Sequence, residues 1–272
     1  MRVHHLNCGT MRLPGADLVC HVLAVETSTG LVLIDSGYGT EDIAEPARRV
    51  GIVRHLVRPA FDVRETALHQ INELGFQAKD VSHIVITHFD LDHIGGLSDF
   101  PDARVHVTSA EVRGALSPAT RLERARYRRI LLSHRPKLVE HDPAGDQWRG
   151  FTAAKQLTEI DDGIVLVPMP GHTRGHAAVA VDAGDYWVLH CGDTFYHRGT
   201  LDGTCHVPAS LRVQERLVAH DIKALRANQE RIAELREGDQ EHLMVVCAHD
   251  PSLFRAARAR SAAPRRLPRR DR

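Results

Sequence analysis

Thr87-His88-Phe89-Asp90-Leu91-Asp92-His93-Ile94-Gly95-Gly96 follows directly on an apolar, β-branched run over residues 81–86. A strand ending in such a turn delivers His88, Asp90, Asp92 and His93 within six positions, with alternate residues aimed at one point and the last two wrapped around it. Imidazole and carboxylate are the side chains that hold borderline and hard divalent ions, so the run predicts a metal site, and a catalytic one. Gly95 and Gly96 permit a tight exit into a helix close beneath it.

Working outward, three later strand signals end in the same residue types. Residues 164–167 lead to Pro170-Gly171-His172-Thr173, residues 186–189 to Gly192-Asp193-Thr194, and residues 243–247 to Ala248-His249-Asp250. A lone His after a strand is more often a hydrogen-bonded residue than a ligand. The joint appearance at four strand ends is what points to a metal. Upstream, residues 18–26 and 31–34 read as a hairpin ending in Asp35-Ser36-Gly37, and Asp62 reads as the cap of a helix stopped by Gly75. Residues 104–108 and 177–181 are further strands, and 209–237 a helical segment. Residues 111–150 read as a helical, Arg-rich, lid-like insertion whose Leu116, Leu122, Ile130 and Leu131 would line an acyl pocket or, equally at helical spacing, belong to the core.

The 272 residues, 43% hydrophobic and 26% charged, suit one soluble globular domain over residues 1–254. Nowhere do eighteen apolar residues run together, and residues 1–13 carry His4, His5, Asn7 and Arg12 where a signal peptide is apolar. The reading is a cytoplasmic protein with no membrane partner. Five cysteines, odd in number and without a Cys-x-x-Cys pair, indicate free buried thiols. The formal charge of zero hides an asymmetry: residues 255–272 hold eight Arg and one Asp, leaving net −7 for residues 1–254. The basic stretch reads as a disordered tail.

These motifs resemble those of the metallo-β-lactamase fold hydrolases, whose pattern is a His-x-His-x-Asp-His turn, a later Gly-His-Thr, a later Asp after Gly, and a last His. The resemblance implies an α/β fold, a four-layer αββα sandwich with the metal site at one edge between the two sheets. It implies two divalent ions, zinc foremost, the first held by His88, Asp90 and His172 and the second by Asp92, His93 and His249, with Asp193 bridging. Asp35 looks like the family's strand-end Asp, which supports the ligand loop. One departure matters. Asp90 stands where the family has its second His, so the ligand set is four His and three Asp, and the centre is one unit less positive. Manganese or iron then competes with zinc, and a one-metal enzyme stays open.

Two ions a few Å apart polarise a carbonyl or phosphoryl oxygen and hold a hydroxide between them, so hydrolysis is the expected reaction class. Asp92 and Asp193 would orient the hydroxide, and a carboxylate near it can pass a proton to the leaving group. Tyr196, three residues after Asp193, is spaced to donate to a substrate carbonyl or oxyanion, with ring packing as the even alternative. That spacing and the His249-Asp250 ending are similar to the acyl-homoserine lactonase branch. The expectation is a metal-dependent hydrolase using a metal-bound hydroxide to open a small-molecule ester or lactone, with a homodimer left open. The alternatives are an iron-dependent oxygenase or oxidoreductase of the same fold, and a nuclease or phosphodiesterase. The last is suggested by Arg121, Arg124, Arg126, Arg128 and Arg129 and opposed by the acidic body. His176 reads as support or packing.

Overall fold

Along the strand Gly30–Ile34, Leu31 and Leu33 pack on one face of the sheet and Val32 and Ile34 on the other. A strand apolar on both faces belongs to a sheet covered on both sides. The computed structural model describes residues 1–142, 145, 147–203 and 205–263. In chain order its strands are β1 (Arg2–Asn7), β2 (Met11–Leu13), β3 (Ala16–Leu18), β4 (His21–Thr27), β5 (Gly30–Ile34), β6 (Val81–Val85), β7 (Arg104–Thr108), β8 (Lys137–His141), β9 (Lys155–Gln156), β10 (Ile164–Pro168), β11 (Ala177–Asp182), β12 (Trp187–His190) and β13 (Leu243–Val246).

One sheet runs β1-β4-β5-β6-β7-β8, a second β13-β12-β11-β10-β9, and β2-β3 form a small ribbon. Leu23, Val25, Val32, Ile34 and Val85 of the first sheet meet Ile164, Leu166, Val179 and Val188 of the second in the central layer. Outside the first sheet, Leu33, Ile84 and Val105 pack on Ile71 of helix Ala67–Glu73 and Val112 of helix Ser109–Leu116. Outside the second, Val165, Leu189 and Val245 pack on Ile232 of helix Ile222–Gly238. Helix, sheet, sheet, helix is the expected αββα order, which buries one face of the packing helices and both faces of the central strands. β5, β6 and β7 are parallel, as are β12 and β13, so the loops leaving β5, β6, β12 and β13 gather at one edge.

Three expectations need correction. The insertion does not run to residue 150: Lys137–His141 is β8, parallel to β7 at the edge of the six-stranded sheet. Its Lys, Glu and His are what an edge strand carries, and they hid its pattern. The tail does not begin at 255: helix Pro251–Ala262 is capped by the Asp250 carboxylate, which accepts from the Ser252 and Leu253 N–H groups, and it buries Phe254 and Ala257. Residues 264–272, the rest of the expected tail, lie outside the described residues. The segment 209–237 is two helices, Ala209–Val218 and Ile222–Gly238, the second capped by Asp221.

Candidate metal centre

Asp35, just after β5, holds a left-handed backbone (φ 61) that a non-glycine residue adopts only when its surroundings fix it. Here they do. Its carboxylate accepts from Thr87 N–H at 2.7 Å, Thr87 Oγ1 at 2.8 Å and His93 Nδ1 at 2.8 Å, pinning the turn after β6 to the end of β5. Burial pushes the Asp35 carboxyl up, but the His93 imidazole beside it brings it below its usual range.

These bonds fix how the imidazoles point. His93 Nδ1–H donates to Asp35, which turns Nε2 into the site; burial lowers the imidazole, but Asp193 and Asp35 raise it well above its usual range. Thr87 Oγ1 gives its proton to Asp35 and therefore accepts from His88 Nδ1 at 3.0 Å, leaving a lone pair on His88 Nε2. His249 Nδ1 donates to the Val19 carbonyl at 2.8 Å, which turns its Nε2 into the site as well; burial lowers its imidazole, but Asp193 raises it above its usual range. All three Nε2 atoms face carboxylates. Asp193 Oδ1 lies 3.0 Å from His249 Nε2 and 3.3 Å from His93 Nε2, and Asp92 Oδ2 lies 3.6 Å from His249 Nε2. His88 Nε2 is 3.3 Å from Asp90 Oδ2 and 3.7 Å from Asp193 Oδ2. His88 Nε2, His93 Nε2 and Asp193 Oδ1 are buried without a hydrogen-bond partner. Imidazole Nε2 atoms and carboxylates that converge so closely are held together either by shared protons or by a divalent cation that replaces them. The second group, Asp92, His93, Asp193 and His249, thus fits a divalent ion.

The first group fits only in part. His88, Asp90, His172 and Asp193 do come together. Arg126, from helix Arg121–Arg126, stands among them: Nε and Nη2 donate to Asp90 Oδ1 and Oδ2, each at 2.5 Å, and Nη2 also reaches His172 Nε2 at 2.5 Å. Burial raises Asp90, yet Arg126 above all holds it well below the carboxylate range.

The family model described as the metallo-beta-lactamase superfamily matches residues 15–249. The chain belongs to that superfamily. It is similar to a probable metallo-hydrolase of Mycobacterium tuberculosis, with 59% identity over 95% of this chain and 83% of the relative. It is also similar to an N-acyl homoserine lactonase of Agrobacterium fabrum, with 26% identity over 66% of this chain and 71% of the relative. Among solved structures, a mutant of B. thuringiensis AiiA with N-decanoyl-L-homoserine bound at its active site superposes with TM-score 0.69 at 19% identity, covering 93% of this chain and 95% of that one. That likeness is one of fold.

Within this metallo-β-lactamase fold the structure brings all seven predicted ligand residues to one edge, on four loops. His176 is buried there behind a candidate ligand: its Nε2 accepts from Asp193 N–H at 3.0 Å. Tyr196 is buried against the rings of His172 and His249. Its oxygen lies 3.4 Å from His172 Nδ1, and burial holds its phenol proton on.

Of the four residues read as pocket lining or core, Leu122 lines the cavity beside the site. Leu131 and Ile130 belong to the core outside the first sheet, and Leu116 is exposed away from it. Sequence reading missed three participants. Arg126 is one of five neighbouring arginines, with nothing local to mark it. Glu111 is fully buried and accepts from Phe89 N–H, Tyr127 OH, Thr173 OH and Gly175 N–H, joining two ligand loops. Cys20 places its sulfur with Asp92 and His249. Among the described residues no helix is long and apolar enough to cross a membrane.

Proposed function

We propose that this metallo-hydrolase opens the ester bond of a small acyl substrate, a lactone first among them. The observation that carries the reading is the set of imidazole Nε2 atoms aimed at Asp92 and Asp193 on the floor of a cavity whose walls are largely apolar. A divalent ion held there supplies Lewis acidity and a bound water of lowered pKa. Zinc suits the second group best, two imidazoles and two carboxylates beside a thiol.

The protein's own groups supply the rest. His172 accepts from Arg126 at Nε2, so its Nδ1–H points to the Tyr196 oxygen. The phenol proton is therefore left for a substrate carbonyl, whose developing negative charge it would stabilise. Asp92 lines the cavity, where its carboxylate is placed to orient a water and pass a proton to the leaving alkoxide.

The cavity, about 310 Å³, is walled by Met11, Leu18, Val53, Val57, Leu122 and Leu217. Its size suits a small molecule, and its walls suit an acyl chain. The lactonase relatives support that substrate class. The phosphodiester reading is weakened by the arginines that suggested it. Arg126 is engaged by Asp90, Arg128 by the Arg48 and Arg49 carbonyls, and Arg129 by the Leu116 carbonyl. Hydrolysis of acyl-homoserine lactones, aryl esters and thioesters by the zinc- or manganese-restored protein tests the reading. Lactone or ester turnover abolished by Asp193→Ala is the expected result; turnover of none of the three, or dioxygen consumption by an iron form, overturns it.

A further inference from the structure

All five N–H donors of Arg126 have acceptors inside the site. Nε and one Nη2 hydrogen take the two Asp90 oxygens, the other Nη2 hydrogen takes His172 Nε2, and Nη1 serves the carbonyls of His172 at 2.9 Å and Val218 at 2.6 Å. A guanidinium with a full, fork-shaped set of acceptors is a fixed part of its surroundings. The side chain is 12% exposed, and swinging it out would strip the Val218 carbonyl of its Arg126 donor and leave the Asp90 charge unpaired.

We propose that Arg126 stands in for the first metal ion, so that this protein binds one divalent ion, at Asp92, His93, Asp193 and His249. The inference rests on the metal-hydrolase reading given above. With His172 Nε2 accepting from the guanidinium and Asp90 forked by it, the first group retains only His88 and the shared Asp193. Two ligands are too few for an ion that takes four. The carboxylates facing the centre are Asp90, Asp92 and Asp193; with the guanidinium and a bound hydroxide, one divalent ion leaves a charge of −1 and two leave +1, so it is the ligand count that decides. Asp90 and Arg126 thus belong together: the carboxylate where the superfamily's pattern has His is the partner that a guanidinium requires and a metal ion does not. Arg126 acts as a positioning residue, fixing Asp90 and His172 without a donor left for substrate.

The test is metal analysis joined to crystallography of the full-length protein, zinc-saturated and then dialysed, with anomalous scattering recorded at the zinc edge. One zinc per chain at that edge of the sandwich is expected, its anomalous peak among Asp92, His93, Asp193 and His249. Arg126→Met, which removes the charge and keeps the apolar stem, is expected to gain a second peak between His88, Asp90 and His172. Two fully occupied peaks in the wild-type centre overturn the inference while leaving the hydrolase reading intact, and no peak at the second group overturns both. Should Arg126→Met fail to fold, the wild-type map decides alone.

Discussion

At the scale of single residues, Asp90 and Arg126 show why a ligand set cannot be judged one position at a time. The pair is mostly buried, with side chains 19% and 12% exposed. Removing one partner of a buried ion pair leaves the other uncompensated, at a cost of about 3–5 kcal/mol. Asp90→Asn is expected to lower the stability of chelator-treated protein by about 3 kcal/mol in urea denaturation, and the Asp90→Leu, Arg126→Met double variant to recover most of it. A double variant as unstable as the single one would mean that the pair matters for something other than charge. Tyr196 makes a separate prediction. If its phenol serves the developing oxyanion, Tyr196→Phe lowers kcat by about 100-fold with little change in KM. An unchanged kcat returns Tyr196 to packing alone.

At the scale of elements, the ligand turns are held by a helix that supplies no ligand. Helix Ser109–Leu116 is capped by Thr108, and its Glu111 accepts four hydrogen bonds from the loops around Phe89 and Thr173 and from Tyr127. Glu111→Gln turns an amide N–H₂ toward donors that now meet a carboxylate, costing about 1–3 kcal/mol for each group left unpaired. Zinc affinity measured against a competing chelator is expected to fall about 10- to 100-fold, as when partners behind metal ligands are lost. Undiminished affinity would show that the loops hold their shape without it. The elements also show where periodicity misleads. β8 is polar because it is an edge strand, and the Pro251–Ala262 helix is hidden by arginines on its exposed side although Asp250 and Pro251 announce its start.

Across the whole molecule, histidines kept neutral by burial tie stability to pH. His5 and His106 are each lowered to about 3, by burial first and then by neighbouring histidines, and His21 is lowered well below its usual value for the same reasons. An unfolded chain takes up protons on these groups near pH 6.5 while the folded one refuses them until far lower. The stability they confer is complete above about pH 6.5 and is lost as pH falls toward 3, by about 1.4 kcal/mol per pH unit for each histidine. Chelator-treated protein is expected to melt progressively lower from pH 6.5 to 4, and His106→Gln to show a shallower dependence. A slope identical to that of the wild type would remove His106 from this account.

The sequence by itself determined most of the strands and the residues that gather at the candidate site, while the layer order was what the family resemblance implied. Apolar, β-branched runs mark the strands, and a strand end is where backbone direction aims a short turn, so His88, Asp92, His93, His172, Asp193 and His249 are legible from neighbours a few positions away. Only the tertiary structure decided what Asp90 does. Its partner Arg126 lies 36 residues along the chain, and the His172 nitrogen shared with it lies 46 residues further on. Local pattern carries no information about such a contact, because which of five adjacent arginines turns inward depends on how helix Arg121–Arg126 docks over the centre, and docking is set by packing across the whole fold.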